Sequence, residues 1–77
     1  MPSEENEGVH VPRLREVRLR RLLTQADLAR LAGISKTTLN QVELGRHPAR
    51  ISTVRKLANA LGVESMELLA GEQEARQ

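Results

Sequence analysis

The sequence lacks both cysteine and aromatic residues, and each absence removes a class of structure. Without cysteine the chain forms no disulfide and offers no thiolate for catalysis or for the usual zinc-finger sites. Without Phe, Trp or Tyr, the 39% of residues that are hydrophobic must build the core from Leu, Val, Ile, Ala and Met. Seventy-seven residues suffice for one small domain, which buries only about 60% of its unfolded surface. These limits favour a compact bundle of helices.

Long hydrophobic runs are also absent. No stretch approaches the roughly 18 apolar residues of a membrane span, and the first eight residues are acidic where a secretory signal would be basic and then apolar. The sequence therefore predicts a soluble, cytoplasmic protein with no membrane partner.

Groups that carry catalysis are scarce. The only histidines are His10 and His47, and neither a glycine-rich phosphate loop nor a carboxylate pair beside a nucleophile is present in the sequence. We therefore expect a protein that is not an enzyme, with no metal site and no cofactor.

The small net charge of +2 conceals an uneven distribution. Residues 1–12 carry three glutamates and no basic residue, whereas residues 13–50 carry nine basic against three acidic residues. Residues 51–77 carry three basic against four acidic residues. A concentration of positive charge in one half of the chain suits an anionic polymer as partner, although arginine-rich helices can also be basic merely for solubility.

Composition divides the chain into a domain and two tails. Residues 1–12 are polar, acidic and interrupted by proline and glycine, so we expect a disordered tail, in which Val9 and Val11 can pack locally as a short arm. The domain is expected at residues 13–70, and residues 71–77 are expected to form a frayed C-terminal tail.

Start and stop signals predict two helices joined by a tight turn. Thr24 and Asp27 form a capping-box pattern that starts the earlier helix, and Gly33 ends it. Ser35 caps the later helix, and Gly45 closes it. The connection is only about three residues long, which is typical of a helix-turn-helix.

Helical spacing predicts three further helices around this motif. One precedes it, from Arg13 to the break before the capping box. A fourth helix opens at Ser52 and stops at Gly62, and a short fifth helix starts at Glu64 or Ser65. The residues that recur on one face of the first and fourth helices are Leu14, Val17, Arg21 or Leu22, Val54, Leu57, Ala58 and Leu61. The short fifth helix contains Met66, Leu68 and Leu69.

The third helix has two distinct faces when it is projected at about 100° per residue. The face that can pack on the core holds Ile34, Thr38, Leu39 and Val42. The opposite, largely polar face holds Lys36, Thr37, Asn40, Gln41 and Leu44. Lysine can donate to guanine, glutamine can pair with adenine, and a threonine methyl can contact thymine. An ordinary solvated helix face is the alternative, but the tight turn and the local positive charge favour DNA contact.

Two stretches of the sequence resemble a known family. The run LTQADLARLAGISKTTLNQVELGR, residues 23–46, is similar to the helix-turn-helix core of the phage repressor and Cro family, also called the xenobiotic-response-element family. The run VRKLANALGV, residues 54–63, is similar to its fourth helix. The residues that make the match specific outside this second run are Gln25, Leu28, Ala29, Gly33, Ser35, Glu43 and Gly45.

The resemblance implies an all-α, compact five-helix lambda-repressor-like fold, with the third helix in the DNA major groove and the second across the backbone. The residues that it implies face bases are Ser35, Lys36, Thr37 and Gln41. The residues that it implies contact the DNA backbone are Gln25, Asn40, Arg46, His47 and Arg50. Arg18 and Glu43 match a family ion pair between the first helix and the end of the third, so their implied role is structural.

Three leucines depart from the family pattern. Leu22 stands where a glycine often ends the first helix, so either it adopts a left-handed backbone at about 1 to 2 kcal/mol or the helix ends differently. Leu31 and Leu44 occupy usually polar sites, where an exposed leucine is either harmless or a partner contact. We favour the harmless interpretation for Leu31.

Together these features predict a sequence-specific DNA-binding transcription regulator, expected to be a repressor that binds a palindromic double-stranded operator as a homodimer. Met66, Leu68 and Leu69 supply more apolar surface than one short helix needs, which suits either a dimer contact or capping of the core. One alternative is an antitoxin or restriction-control autoregulator built on the same domain. Another is a protein-interaction adaptor that keeps the fold without reading bases.

Overall fold

Five helices and two very short strands make up residues 8–69, the part of the chain that the computed structural model describes. In chain order the elements are β1 (Gly8–Val9), α1 (Leu14–Arg20), α2 (Gln25–Ala32), α3 (Lys36–Glu43), β2 (Ala49–Arg50), α4 (Ile51–Leu61) and α5 (Ser65–Leu69). The prediction of a five-helix fold is confirmed. Across these described residues, no helix is long and apolar enough to cross a membrane.

Leucine takes the place of the missing aromatic residues at the centre of the core. Each helix contributes one leucine whose side chain is completely buried, and in chain order these are Leu14, Leu28, Leu39, Leu57 and Leu68. Smaller side chains from the same helices, mostly Val and Ala, surround them. Burying one leucine stabilises the fold by about 1.5 to 3 kcal/mol, so these five side chains tie all five helices to one core.

The first helix ends earlier than the sequence pattern predicts. It stops at Arg20, and Arg21 and Leu22 are exposed, so neither continues the inner stripe. Arg18 is buried on that side instead, at 6% exposure. Leu22 adopts the left-handed backbone, with φ of 59°, and its side chain is 90% exposed.

The fourth helix begins at Ile51, one residue before the expected Ser52. Arg50 holds the extended N-cap backbone, with φ −67° and ψ 154°, because it also belongs to β2. The helix therefore starts at Ile51, directly after the strand, without a side-chain cap. Its end is as predicted, because Gly62 adopts φ of 72° and closes it.

Residues 8–12 do not behave as the expected disordered tail. β1 pairs with β2 in antiparallel register, Gly8 opposite Arg50 and Val9 opposite Ala49, and Val11 is buried in the core at 5% exposure. Only glycine fits at position 8, since a Cβ there would lie 2.5 Å from the ring of Pro48. Local packing of Val9 and Val11 is as expected, while the rest of both proposed tails, residues 1–7 and 71–77, lies outside the described residues.

Candidate nucleic-acid interface

Hydrogen bonds cap α2 at both of its ends. Thr24 Oγ1 accepts from the backbone N–H of Asp27 at 3.0 Å, and the Asp27 carboxylate accepts from the Thr24 N–H at 3.2 Å. At the other end Gly33 adopts φ of 75°, and the Ile34 N–H donates to the Ala29 carbonyl. The expected capping box and glycine stop are thus both present, and the stop at Gly33 ends α2 just before α3 begins.

The position of Asp27 in this cap lowers the pKa of its carboxyl group. The hydrogen bond from the Thr24 backbone N–H is the main cause that lowers the pKa of Asp27 below its ordinary value. The Thr24 side chain and then Arg30 act in the same direction, while partial desolvation opposes them. The group is therefore a charged carboxylate at the N-terminus of α2, where the helix dipole favours negative charge.

Ser35 caps the start of α3, and its hydrogen bonds involve Thr38, which the helical projection placed on the core face. Ser35 Oγ accepts from the Thr38 N–H at 3.0 Å and donates to Thr38 Oγ1 at 2.8 Å. Thr38 is exposed as a result, so its expected place on the core face is wrong. The core face is formed by Leu39 and Val42, which are 0% and 6% exposed.

The polar residues predicted on the opposite face remain accessible. Lys36 and Thr37 are exposed, whereas Asn40 and Gln41 are half-buried. Leu44 follows this face as the C-cap and is 56% exposed, as is Leu31 on α2.

A buried ion pair anchors the far end of α3 to α1. Arg18 donates from Nε to Glu43 Oε2 at 2.6 Å and from Nη2 to Glu43 Oε1 at 3.1 Å. Its third contact, from Nη1 to the Leu23 carbonyl at 2.8 Å, depends on the left-handed turn at Leu22 and had no sequence signal. The Arg18 and Glu43 side chains are 7% and 2% exposed, so the pair lies in the interior of the protein and joins α1 to the end of α3.

Gln25 extends this pair towards the surface of α3. Its Nε2 donates to Glu43 Oε1 at 2.9 Å and to Asn40 Oδ1 at 3.2 Å. Among residues 8–69, every buried side-chain nitrogen or oxygen has a hydrogen-bond partner. Both amide hydrogens of Gln25 are therefore occupied inside the protein.

Two depressions border the exposed face of α3 and collect most of the predicted site residues. The smaller one, about 300 Å³, lies against the start of α2 and is lined by Gln25, Lys36, Thr37 and Asn40. The larger one is a cleft of about 640 Å³ between α3 and the α3–α4 connection. The predicted site residues that line this cleft are Ser35, Thr37, Gln41, His47 and Arg50.

The α3–α4 connection carries two arginines and one histidine that have no partner among the described residues. Arg46, His47 and Arg50 are exposed, and their side chains form no hydrogen bond or ion pair with the described part of the chain. Arg46 lines neither depression. Thr53, in the first turn of α4, also lines the cleft and was not predicted, because no periodicity or cap signal marks a half-buried threonine there.

Comparison with known proteins agrees with this geometry. The family described as Helix-turn-helix matches residues 14–68. The immunity repressor protein of Bacillus phage phi105 is 34% identical over 61 residues, which cover 79% of this chain and 42% of that protein, so this chain spans less than half of that relative.

Solved structures agree as well. The crystal structure of the restriction-modification controller protein C.AhdI from Aeromonas hydrophila has a TM-score of 0.71 and 39% identity, over 73% of this chain and 85% of that one. A chain of the SinR protein/SinI protein complex has a TM-score of 0.75 and 25% identity, over 82% of this chain and 62% of that one. With the sequence match covering all five helices, the chain belongs to the helix-turn-helix family.

Proposed function

We propose that this protein is a cytoplasmic, sequence-specific DNA-binding transcription regulator that acts as a repressor. The observation that carries the proposal is the exposed polar face of α3, which lies between two depressions lined by amide, hydroxyl and basic groups. Such a helix fits the major groove, where its side chains meet base edges. Phage immunity repression and restriction-modification control are the roles of two similar proteins, which supports regulation rather than another use of the fold.

Sequence would be read by the exposed side of α3. Lys36 and Thr37 lie in its first turn and are exposed, and Gln41 lies further along, at the cleft, without a side-chain hydrogen bond to residues 8–69. Ser35 contributes in a more restricted way, because its hydroxyl is already engaged with the Thr38 backbone N–H and hydroxyl.

Affinity would come mainly from the α3–α4 connection. Arg46, His47 and Arg50 project from one short segment and have no partner within the described part of the chain. Guanidinium groups pair well with phosphate oxygens, and each such contact releases counterions from DNA. These residues would hold the protein on any sequence, while α3 selects among sequences.

A homodimer on a palindromic operator completes the proposal. Leu68 is completely buried and belongs to the core, which leaves Met66, at 72% exposure, as the prominent apolar side chain on α5. A nearby apolar depression of about 290 Å³ includes Leu69, Ile51 and Val9 in its lining. A second copy that covered this surface would place two α3 helices on two half-sites about one helical turn apart.

Selection of bound duplexes from a random DNA pool tests the proposal. We expect one enriched sequence with two-fold symmetry, and a linear fall of log K with log salt whose slope is about −0.9 per phosphate contact. Binding that selects no sequence, or that ignores salt, would favour the protein-interaction adaptor.

The restriction-control or antitoxin type of autoregulator is the second candidate, and the similarity to C.AhdI favours it. It uses the same interface, so the discriminating measurement is which DNA is bound. Tight binding upstream of the protein's own gene, beside a gene for a toxin or a restriction enzyme, would identify this type.

A further inference from the structure

Four polar side chains form a continuous series of hydrogen bonds from the core to the surface of α3. Arg18 donates to Glu43, and Gln25 donates from the same nitrogen to both Glu43 and Asn40. We call these four residues the polar chain. It begins at side chains that are 7% and 2% exposed, and it ends at Asn40, which lines the depression beside Lys36.

The buried end dictates the direction of every bond in the polar chain. A guanidinium only donates and a carboxylate only accepts, so the carboxylate of Glu43 leaves no choice for the amide that meets it. Gln25 must turn its nitrogen towards Glu43, at 2.9 Å, and the second hydrogen of that nitrogen then points to Asn40. Asn40 must therefore turn its oxygen towards Gln25 to accept this hydrogen bond. The orientation of both amides thus follows from the charge at the core.

This direction gives different roles to the two amides, for both of which the family resemblance implies contact with the DNA backbone. Both donors of Gln25 are used inside the protein, so its free amide atom is an oxygen, which cannot bind a phosphate oxygen. Asn40 has its oxygen engaged and its Nδ2 hydrogens available. We propose that, of these two amides, Asn40 is the one that binds DNA and that Gln25 is a positioning residue, which acts through Asn40; this assignment rests on the proposed function.

The group that Asn40 would bind is an acceptor, and the surroundings point to a backbone phosphate. A bidentate pair with adenine needs the oxygen and the nitrogen of one amide both directed at the base, whereas Asn40 Oδ1 is turned towards Gln25. The depression of about 300 Å³ is lined by Lys36, Thr37 and Asn40, whose side chains carry an ammonium, a hydroxyl and a free amide nitrogen, and by Gln25, whose free amide atom is an oxygen. Three donors around one small depression suit an anionic oxygen.

A double-mutant cycle measured by fluorescence anisotropy separates positioning from direct contact. The probes are the duplex selected from the random pool and an unselected duplex of equal length. We expect Gln25→Ala and Asn40→Ala each to weaken both duplexes by about threefold to tenfold, and the double variant to bind like Asn40→Ala alone. Additive losses would show that Gln25 meets DNA independently and would overturn the assignment. Losses confined to the selected duplex would mean that Asn40 meets a base acceptor, and would overturn the phosphate assignment.

Gln41 provides the matched control for this cycle. It is another half-buried amide on α3, but its side chain forms no hydrogen bond with Gln25. Losses from Gln25→Ala and Gln41→Ala should therefore add. Coupling as strong as that between Gln25 and Asn40 would mean that Gln25→Ala disturbs α3 as a whole, which would overturn the specific role of Asn40.

Asn40→Asp tests the polarity without removing the contact to Gln25. An aspartate oxygen still accepts from Gln25 Nε2, whereas the outward group becomes a negative acceptor. We expect DNA binding weaker than in Asn40→Ala, because the outward group then carries a negative charge beside the DNA. Parent-like affinity would overturn the proposal.

Side-chain amide NMR of the DNA-free protein provides a readout that does not depend on DNA. Gln25→Ala should move the Asn40 Nδ2 resonances, and unmoved resonances would overturn the positioning role. If the parent binds no duplex at all, the proposed function itself fails. If the parent binds but the cycle is additive, only the assignment of Gln25 and Asn40 fails.

Discussion

The two sides of α3 differ in how their polar groups are engaged. On the side of α2, Gln25 and Asn40 are held by a chain of hydrogen bonds that ends at a buried ion pair. On the side of the α3–α4 connection, Arg46 and Arg50 are exposed and unpaired within residues 8–69. Ordered groups carry geometric information at little further entropic cost, whereas free cations supply attraction without a fixed position. The α2 side therefore suits fixing the position of α3 on the DNA, and the side of the α3–α4 connection suits affinity for DNA of any sequence.

The largest expected effect comes from removing the buried ion pair that supports Gln25 and Asn40 on the α2 side of α3. Glu43→Ala should lower the free energy of unfolding by about 3 to 5 kcal/mol, because it leaves the Arg18 guanidinium buried without its carboxylate. Glu16→Ala is the matched control, since Glu16 pairs with Arg20 at the same distance, 2.6 Å, but is 53% exposed. That control should cost no more than about 1 kcal/mol. Equal denaturant midpoints for the two variants would contradict the claim that the buried pair of Arg18 and Glu43 stabilises the fold.

Removal of a cation should act on binding and leave the fold alone. Arg46→Ala or Arg50→Ala should weaken selected and unselected DNA by a similar factor, about threefold to tenfold at low salt. The slope of log K against log salt should become shallower by about 0.9 for each contact removed. A salt titration of both duplexes measures this, and a loss confined to the selected duplex would mean that these residues read bases.

A smaller effect is expected at the turn that supports the buried pair. Leu22 has φ of 59° and is 90% exposed, and the next residue offers its carbonyl to Arg18. Leu22→Gly relieves about 1 to 2 kcal/mol of backbone strain, from which the greater freedom of glycine in the unfolded chain subtracts part. We expect a net gain of about 0.5 to 1 kcal/mol in thermal unfolding, without any change in the salt slope of DNA binding. A loss of stability would show that the Leu22 side chain itself contributes.

The smallest expected effect is a pH dependence at the start of α2. Because the pKa of Asp27 is lower in the folded protein than the ordinary 3.8, its carboxylate stabilises the fold at neutral pH. That contribution is lost as the pH falls below 3.8 and through the folded pKa. The melting temperature of the parent should exceed that of Asp27→Asn at pH 7, and the difference should shrink on acidification. A difference that stays constant down to low pH would contradict the cap's charge.

Local chemistry explains which features the sequence could predict. The cap of Thr24 with Asp27 and the stop at Gly33 depend on residues within a few positions of each other, so their signals are legible in the sequence. The β1–β2 pair was missed because two-residue strands are too short to show alternation. Thr38 was misplaced because helical projection ignores a hydroxyl that bonds to the preceding cap.

The candidate site shows the same division. The residue types on α3 and the match to a known family place Lys36 and Gln41 on the exposed face. The link from Gln25 to Asn40 could not be predicted, because it joins residues 15 positions apart and depends on how two amides are turned. The charge of Glu43 fixes that orientation only once folding has brought the three side chains together.

The central claim, that α3 reads sequence while its surroundings supply affinity, is tested most directly by repeating the random-pool selection with Lys36→Ala, Gln41→Ala and Arg46→Ala. We expect the first two variants to lose about 1 to 3 kcal/mol on the parent's preferred duplex and to relax preference at particular base pairs. In a dimer those positions should appear twice, in half-sites about one helical turn apart. Arg46→Ala should return the parent's sequence preference at lower affinity. An unchanged preference for both Lys36→Ala and Gln41→Ala would contradict the account, because α3 would then not be the element that reads the DNA.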